Sequence, residues 1–205
     1  MRTLVIDSAT EACSVALFEH GTCLAGELRK LGRGHAEQLV PMIAALPGKG
    51  QAQRIAVGLG PGSFTGLRVG LAAARALAFA WSAELVGYPT LALIAAAARR
   101  ERGGQPVAVV TTAGHGEWFV QQFGAEGKAR GEALSLTPDA AVAVLDTALV
   151  AGSQAAALVA LRGAGEALVL WPDARDFRLL PESALTSEAN PHYGRTPDAK
   201  RPGGG

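Results

Sequence analysis

The sequence predicts a two-lobed α/β protein. Three observations carry this. Strand and helix cues alternate through residues 2–101. A Gly-Gly-Gln-Pro break at 103–106 closes that half. A second, weaker set of strand and helix cues then runs to residue 171. The expected division is 1–103 for the first lobe and 104–205 for a smaller second lobe ending in a mobile tail.

The elements follow in order. RTLVID at 2–7 is a compact apolar run and reads as a strand. Ala12 to Phe18 and Thr22 to Leu28 flank a two-residue turn at His20-Gly21 and read as a hairpin. That hairpin pairs Phe18 with Cys23 and places Cys13 near Leu28, too far from Cys23 for a disulfide. Leu39, Met42, Ile43 and Leu46 share one face of a helix over 35–46, with Pro41 predicting a kink or a late start. RIAVGL at 54–59 reads as a buried strand, GPGSFTG at 60–66 as a loop, 65–81 as a strong helix, 84–88 as a strand and 90–101 as an Ala-rich helix. Beyond the break, 107–112 and 117–123 read as strands around a turn at 113–116. Thr137 reads as an N-cap with Pro138 at the first helical position. Strands at 147–151 and 166–171 flank a helix at 153–162. No repeat is evident.

Composition excludes several classes of function. Of 205 residues, 49% are hydrophobic and 18% charged, and the net charge is +1. That is a globular chain without the basic footprint that broad nucleic-acid or membrane-surface binding requires. No metal quartet can be assembled from Cys13, Cys23 and the scattered His20, His35, His115 and His192. Asp7 interrupts the region where a signal peptide would be apolar, and the longest charge-free apolar stretch, 85–98, is short of the ~20 residues of a spanning helix. A reducing, cytoplasmic setting without membrane contact is expected.

Common enzyme motifs fail residue by residue. GPGSFTG is not a Walker A loop, because no Lys-Ser/Thr follows a GxxxxG. Thr65 stands where GxGxxG needs its third glycine, and Pro61 and Thr65 flank Ser63 where a GxSxG elbow needs glycines. No HExxH is present, and His35-Ala36-Glu37 lacks the PCxxC partner of a zinc deaminase. No catalytic residue and no metal ligand is assigned.

Three positive signals remain. Asp7, Ser8 and Thr10 end the first strand with a carboxylate and hydroxyls. That set can hold a hydrated metal ion or a phosphate, but these residues alone favour a strand-end Asp capping its own turn. In the loop from Gly60, Gly62 allows close backbone approach, and Ser63 or Thr65 could cap the next helix, whose first amides would suit an anion. A plain strand-to-helix connection is the alternative. Gly66, Gly70, Ala74 and Ala78 recur every four residues, a smooth stripe flanked by Arg68 and Arg75. The stripe serves either tight packing on the chain's own sheet or an interface shared with the 35–46 helix.

Taken together, LVIDSATEACSVAL (4–17), RGHAEQLVPMI (33–43) and GPGSFTGLRVG (60–70) closely resemble the TsaB (YeaZ) family, with PHYGRTPDAK (191–200) similar to its Pro-x-Tyr-x-Arg ending. The resemblance is dense over residues 1–100. It implies an actin-like (ASKHA) fold of two lobes, each a mixed sheet flanked by helices. It further implies a non-catalytic partner subunit in making N6-threonylcarbamoyladenosine at position 37 of ANN-decoding tRNAs. Its partners would be a TsaD-type transferase, which carries the metal and the chemistry, and a TsaE-type ATPase. The tRNA would be reached only through the complex. The glycoprotease (M22) grouping of the family does not imply activity.

On that resemblance the partner-binding set is His35, Leu39, Met42, Arg68, Gly70, Leu71, Ala74, Arg75 and Ala78, with a homodimer through the same surface when the chain is alone. No cofactor is expected to bind tightly, and ATP and Mg2+ have a place only at the complex interface. The candidate phosphate contacts are Asp7, Ser8, Thr10, Gly60, Gly62, Ser63 and Thr65. Catalytic relatives carry a histidine pair where this chain reads PTLALIAAAA at 89–98, without a ligand. The turn at 112–118 keeps the family's Glu-aromatic pair and lacks its Asp and Arg. Two expectations follow. Asp7→Ala should fold, and Ala74→Trp should give a folded monomer that no longer associates. The alternative function is an active small ASKHA kinase or hydrolase using Asp7 and the 60–66 loop.

Overall fold

The computed structural model describes residues 1–194. The expected mobile tail, and Arg195 of the family-like ending, lie outside the described residues. The first sheet holds β1 (Arg2–Asp7), β2 (Ala12–Glu19), β3 (Thr22–Lys30), β4 (Arg54–Gly58) and β5 (Glu84–Tyr88), in the order β3-β2-β1-β4-β5. β1, β4 and β5 run parallel, and the β2–β3 hairpin is antiparallel. Phe18 does face Cys23, but a bulge after Leu17 shifts the far end, so Cys13 pairs with Arg29 and not Leu28. Both thiols are free. Burial pushes the Cys13 thiol up to about 12, so it behaves as a small core residue.

Two helices cover one face of this sheet. α1 (His35–Ala45) starts after Gly34, whose φ of 86° is open to glycine. No late start occurs, and the helix runs through exposed Pro41. Burial of Leu39, Met42 and Ile43 against Leu4, Ile6 and Ile55 outweighs the one backbone bond that proline removes. α2 (Phe64–Trp81) is capped by Ser63, whose Oγ accepts the Gly66 N–H at 3.3 Å; Thr65 lies inside the helix. Ser63→Ala should cost about 1 kcal/mol in urea unfolding.

α3 (Thr90–Glu101) lies between the two sheets. Its Leu93 joins Val5, Ala56 and Tyr88 of the first sheet, while Leu91, Ile94 and Ala98 pack on Val107, Val109 and Phe119 of the second. The second sheet holds β6 (Val107–Gly114), β7 (Glu117–Phe123), β8 (Ala129–Leu136), β9 (Leu149–Ala151) and β10 (Glu166–Leu168). Its order is β10-β9-β6-β7-β8, with β6, β9 and β10 parallel and β7 and β8 antiparallel. Read from β8, this is the first sheet's pattern again: third, second, first, fourth, fifth. The two lobes repeat one topology without repeating residues. α4 (Pro138–Val144) and α5 (Ala155–Arg162) cover its outer face through Ala141, Ala155 and Leu158.

The chain beyond β10 leaves the second sheet. Trp171 donates its Nε1–H to Glu11 at 2.9 Å, and a 3-10 segment, Ala174–Leu179, seals the open face of the first sheet. There Ala174 is buried with Val5 and Ala16, and the Phe177 ring sits 5.5 Å from Tyr88. Thr186 then pairs with Gly87 at the edge of β5. Among the described residues no helix is long and apolar enough to cross a membrane.

Candidate functional site

A cavity of about 1100 Å3 opens where the lobes meet. The β1 exit contributes Ala9 and Thr10, the entry to α1 contributes Arg33 and His35, the start of α2 contributes Ser63 to Gly66 and Arg68, and the β6–β7 turn contributes Thr112 to His115. The first turn of α2, Phe64 to Gly66, lies on this wall, with the Gly66 N–H already taken by the Ser63 Oγ. His35 is nearly enclosed, its Nε2 2.9 Å from the Thr10 carbonyl.

The candidate phosphate residues divide. Thr10, Gly62, Ser63 and Thr65 line the cavity. Asp7, Ser8 and Gly60 do not. Asp7 is fully buried and points into the fold: Oδ1 accepts the Ala9 N–H and Oδ2 accepts the Thr90 hydroxyl, both at 3.0 Å. A Cβ on Gly58 would overlap that carboxylate, so glycine there makes room for it. The geometry is therefore that of a strand-end Asp holding its own turn to the start of α3. This corrects the placing of Asp7 among the phosphate contacts. Asp7 does not fit a resident metal–nucleotide group, because its carboxylate is turned away from the cavity; the acidic residues that line the cavity are Glu11 and Glu37.

Ser8 donates its hydroxyl to the Gly66 carbonyl at 2.8 Å. A Cβ on Gly62 would overlap the Ala9 carbonyl, one on Gly66 the Ser8 carbonyl, and one on Gly70 the Ser8 hydroxyl. The glycine-rich loop is thus shaped by the β1 turn pressing onto α2.

Burial pushes Asp7 from an ordinary 3.8 up to about 6, with the Ala9 and Thr90 hydrogen bonds opposing that rise. The folded chain therefore takes up this proton near pH 6 and the unfolded chain only near pH 4. Stability from this group is greatest at acid pH and is lost as pH rises through that window, by about 3 kcal/mol. Asp7→Asn should remove this dependence, gaining about that much on the wild type between pH 4 and pH 7 in paired urea titrations.

The stripe faces inward. Gly70, Leu71, Ala74 and Ala78 are buried, the last three in one core with Ile6 and Val57. Leu39 and Met42 of α1 are buried in the same core. These six are not surface residues, which corrects their assignment as partner contacts, and His35 is buried at the cavity wall on the Thr10 carbonyl. The small side chains let the chain's own β1 turn and sheet approach α2. Arg68 and Arg75 are exposed but engaged: Arg68 lies 3.6 Å over the Phe64 ring, and Arg75 donates to the Ala189 carbonyl at 2.7 Å.

With the stripe turned inward, the opposite side of α2 is exposed. It carries Ala72, Ala76, Phe79 and Ala80, and Phe79 is 91% exposed. Beside it α1 exposes Ala36, Val40 (60%) and Ala44. Sequence reasoning missed Phe79 and Val40. The signal was available, since fixing the stripe as the inner face turns positions 72, 76, 79 and 80 outward.

Two lobes that repeat one strand order about a cleft define the actin-like (ASKHA) ATPase class of fold. The family model for TsaD: tRNA N6-adenosine threonylcarbamoyltransferase matches residues 29–176. The chain belongs to the TsaB (YeaZ) family within this TsaD-like group. Escherichia coli (strain K12) tRNA threonylcarbamoyladenosine biosynthesis protein TsaB is 38% identical over 128 residues, 60% of this chain and 55% of that protein. The Haemophilus influenzae protein of the same name is 40% identical over 101 residues, 46% of this chain and 42% of its own. The chain thus spans about half the length of the curated relatives it matches. A solved Pseudomonas aeruginosa protein, described by its similarity to peptidase YEAZ, is 30% identical with a TM-score of 0.78, covering 95% of this chain and 99% of that one. YeaZ from Pseudomonas aeruginosa gives 29% and 0.77.

Proposed function

We propose that this chain is a non-catalytic partner subunit in the biosynthesis of tRNA threonylcarbamoyladenosine. It docks and activates a TsaD-type transferase, acts with a TsaE-type ATPase, and reaches ANN-decoding tRNA only through that complex. The Escherichia coli and Haemophilus influenzae relatives are named for this pathway. The observation that carries the partner role is the exposed apolar crown of α1 and α2. Phe79 and Val40 stand out from a floor of alanines, over which a neighbouring helix can approach closely. Alone, the chain pairs with itself through the same crown.

The donor set supports the non-catalytic reading. α3 offers no imidazole, thiol or carboxylate before Glu101, and Asp7 is used internally. On this reading ATP and Mg2+ enter at the interface with the partner, near Thr10, Ser63 and Thr65, and not in the Asp7 turn. The test is co-purification with the TsaD-like and TsaE-like proteins of the same organism, followed by a tRNA modification assay that omits each in turn.

A further inference from the structure

The last described residues form a strap with a firm root and a light tip. At the root, Thr186 and Gly87 exchange two backbone hydrogen bonds, at 2.8 and 3.0 Å. Ala189 is buried in the first-lobe core, and its carbonyl accepts from Arg75 at 2.7 Å. The tip, Pro191–Gly194, is held by less. The His192 N–H donates to the Leu59 carbonyl at 2.8 Å. The Tyr193 ring lies 4.9 Å from Phe64, and its hydroxyl accepts a long 3.4 Å bond from Arg68 Nε. Tyr193 and Phe64 both line the cavity.

The tip touches both lobes. Tyr193 rests on α2 of the first. Gly194, with φ of 64°, passes so close to Phe119 of β7 and to Pro61 that a Cβ there would overlap both. Elsewhere the lobes are joined through α3 and through the crossing at 168–174. The tip is a further tie between them, placed at the mouth of the cavity.

We propose that Pro191–Gly194 is a latch. Seated, it fastens β7 of the second lobe, through Phe119, to Pro61 and the start of α2, and narrows the cavity. Released, it frees Arg68 and lets the lobes part, while the root stays paired to β5. Local openings of this kind fall to segments with few buried contacts, and the tip has few. The inference does not depend on which partner docks on α1 and α2.

Two variants act on the tie from opposite sides. Tyr193→Ala removes the contact with α2, and Gly194→Ala forces the chain away from Phe119 and Pro61. Native-state hydrogen exchange on the full chain is the readout. Both variants should speed exchange about tenfold in residues 112–118 and 60–67, while Gly87, Thr186 and the sheet interiors stay protected and melting stays near wild type. Unchanged exchange at 112–118, or a response to only one variant, would overturn the proposal. So would faster exchange throughout both sheets, which would make the tip a general structural support.

Discussion

Ala74→Trp should lower the melting temperature by roughly 6–12 °C, the shift that about 3 kcal/mol produces in a chain of this size. Ala74 is wholly buried, in a core that includes Ile6, Val57 and Leu71. Its helix is pinned from both ends of the stripe. Gly66 and Gly70 sit against Ser8 with no room for a Cβ, and Ala78 closes the far end in the same core. The helix therefore has no freedom to lift and admit an indole, and the substitution meets the upper part of the ~1–3 kcal/mol range for overpacking. Any loss of association in this variant would follow from the damaged fold. A variant with wild-type melting that fails to associate would put the stripe at an interface after all.

Phe79→Asp should do what Ala74→Trp cannot. The ring is 91% exposed, so its removal should change the chain's own stability by no more than about 0.5 kcal/mol. In a complex, the same ring would be the largest anchor on a floor of alanines, and a carboxylate would be buried there without a partner. Self-association and binding to the TsaD-type partner should both weaken by about thirtyfold or more, the factor for a hot-spot loss of ~2 kcal/mol. Sedimentation or light scattering with a thermal melt on the same sample separates binding from folding. An early-melting variant would mean that Phe79 packs within the chain.

The first lobe was largely legible in the sequence. Its strands are short apolar runs and its helices carry clear stripes, so the expected and observed boundaries agree to within about two residues. The second lobe was harder. β8 begins Ala-Arg-Gly-Glu and is exposed along most of its length. An edge strand with a solvated face needs no apolar alternation, so its sequence looks like a loop. The repeated topology was hidden because the lobes share backbone order and not residues. The 3-10 segment at 174–179 was hidden for a related reason, since its role is to cover a sheet face formed more than 80 residues earlier.

The candidate site was legible in its residue types and less so in their direction. Gly66, Gly70, Ala74 and Ala78 announce a close approach, but small residues do not say what approaches. The structure answers with Ser8 and the chain's own sheet. Asp7 carries the same ambiguity. A strand-end carboxylate beside hydroxyls can hold a metal ion or its own turn, and only the burial and the Thr90 bond separate the two. Tyr193 and Gly194 come from the far end of the chain, and only the fold brings them to Arg68 and Phe119.

The most direct test of the partner role is a reconstituted tRNA threonylcarbamoylation assay containing the organism's TsaD-like and TsaE-like proteins, the threonylcarbamoyl-adenylate donor and this chain. Each protein is omitted in turn, and Phe79→Asp replaces the wild-type chain in a further reaction. The expected result is modification in the full mixture, none when this chain is left out, none from this chain alone, and a large loss with Phe79→Asp that excess variant partly restores. Undiminished modification without this chain, or modification by this chain alone, would contradict the account.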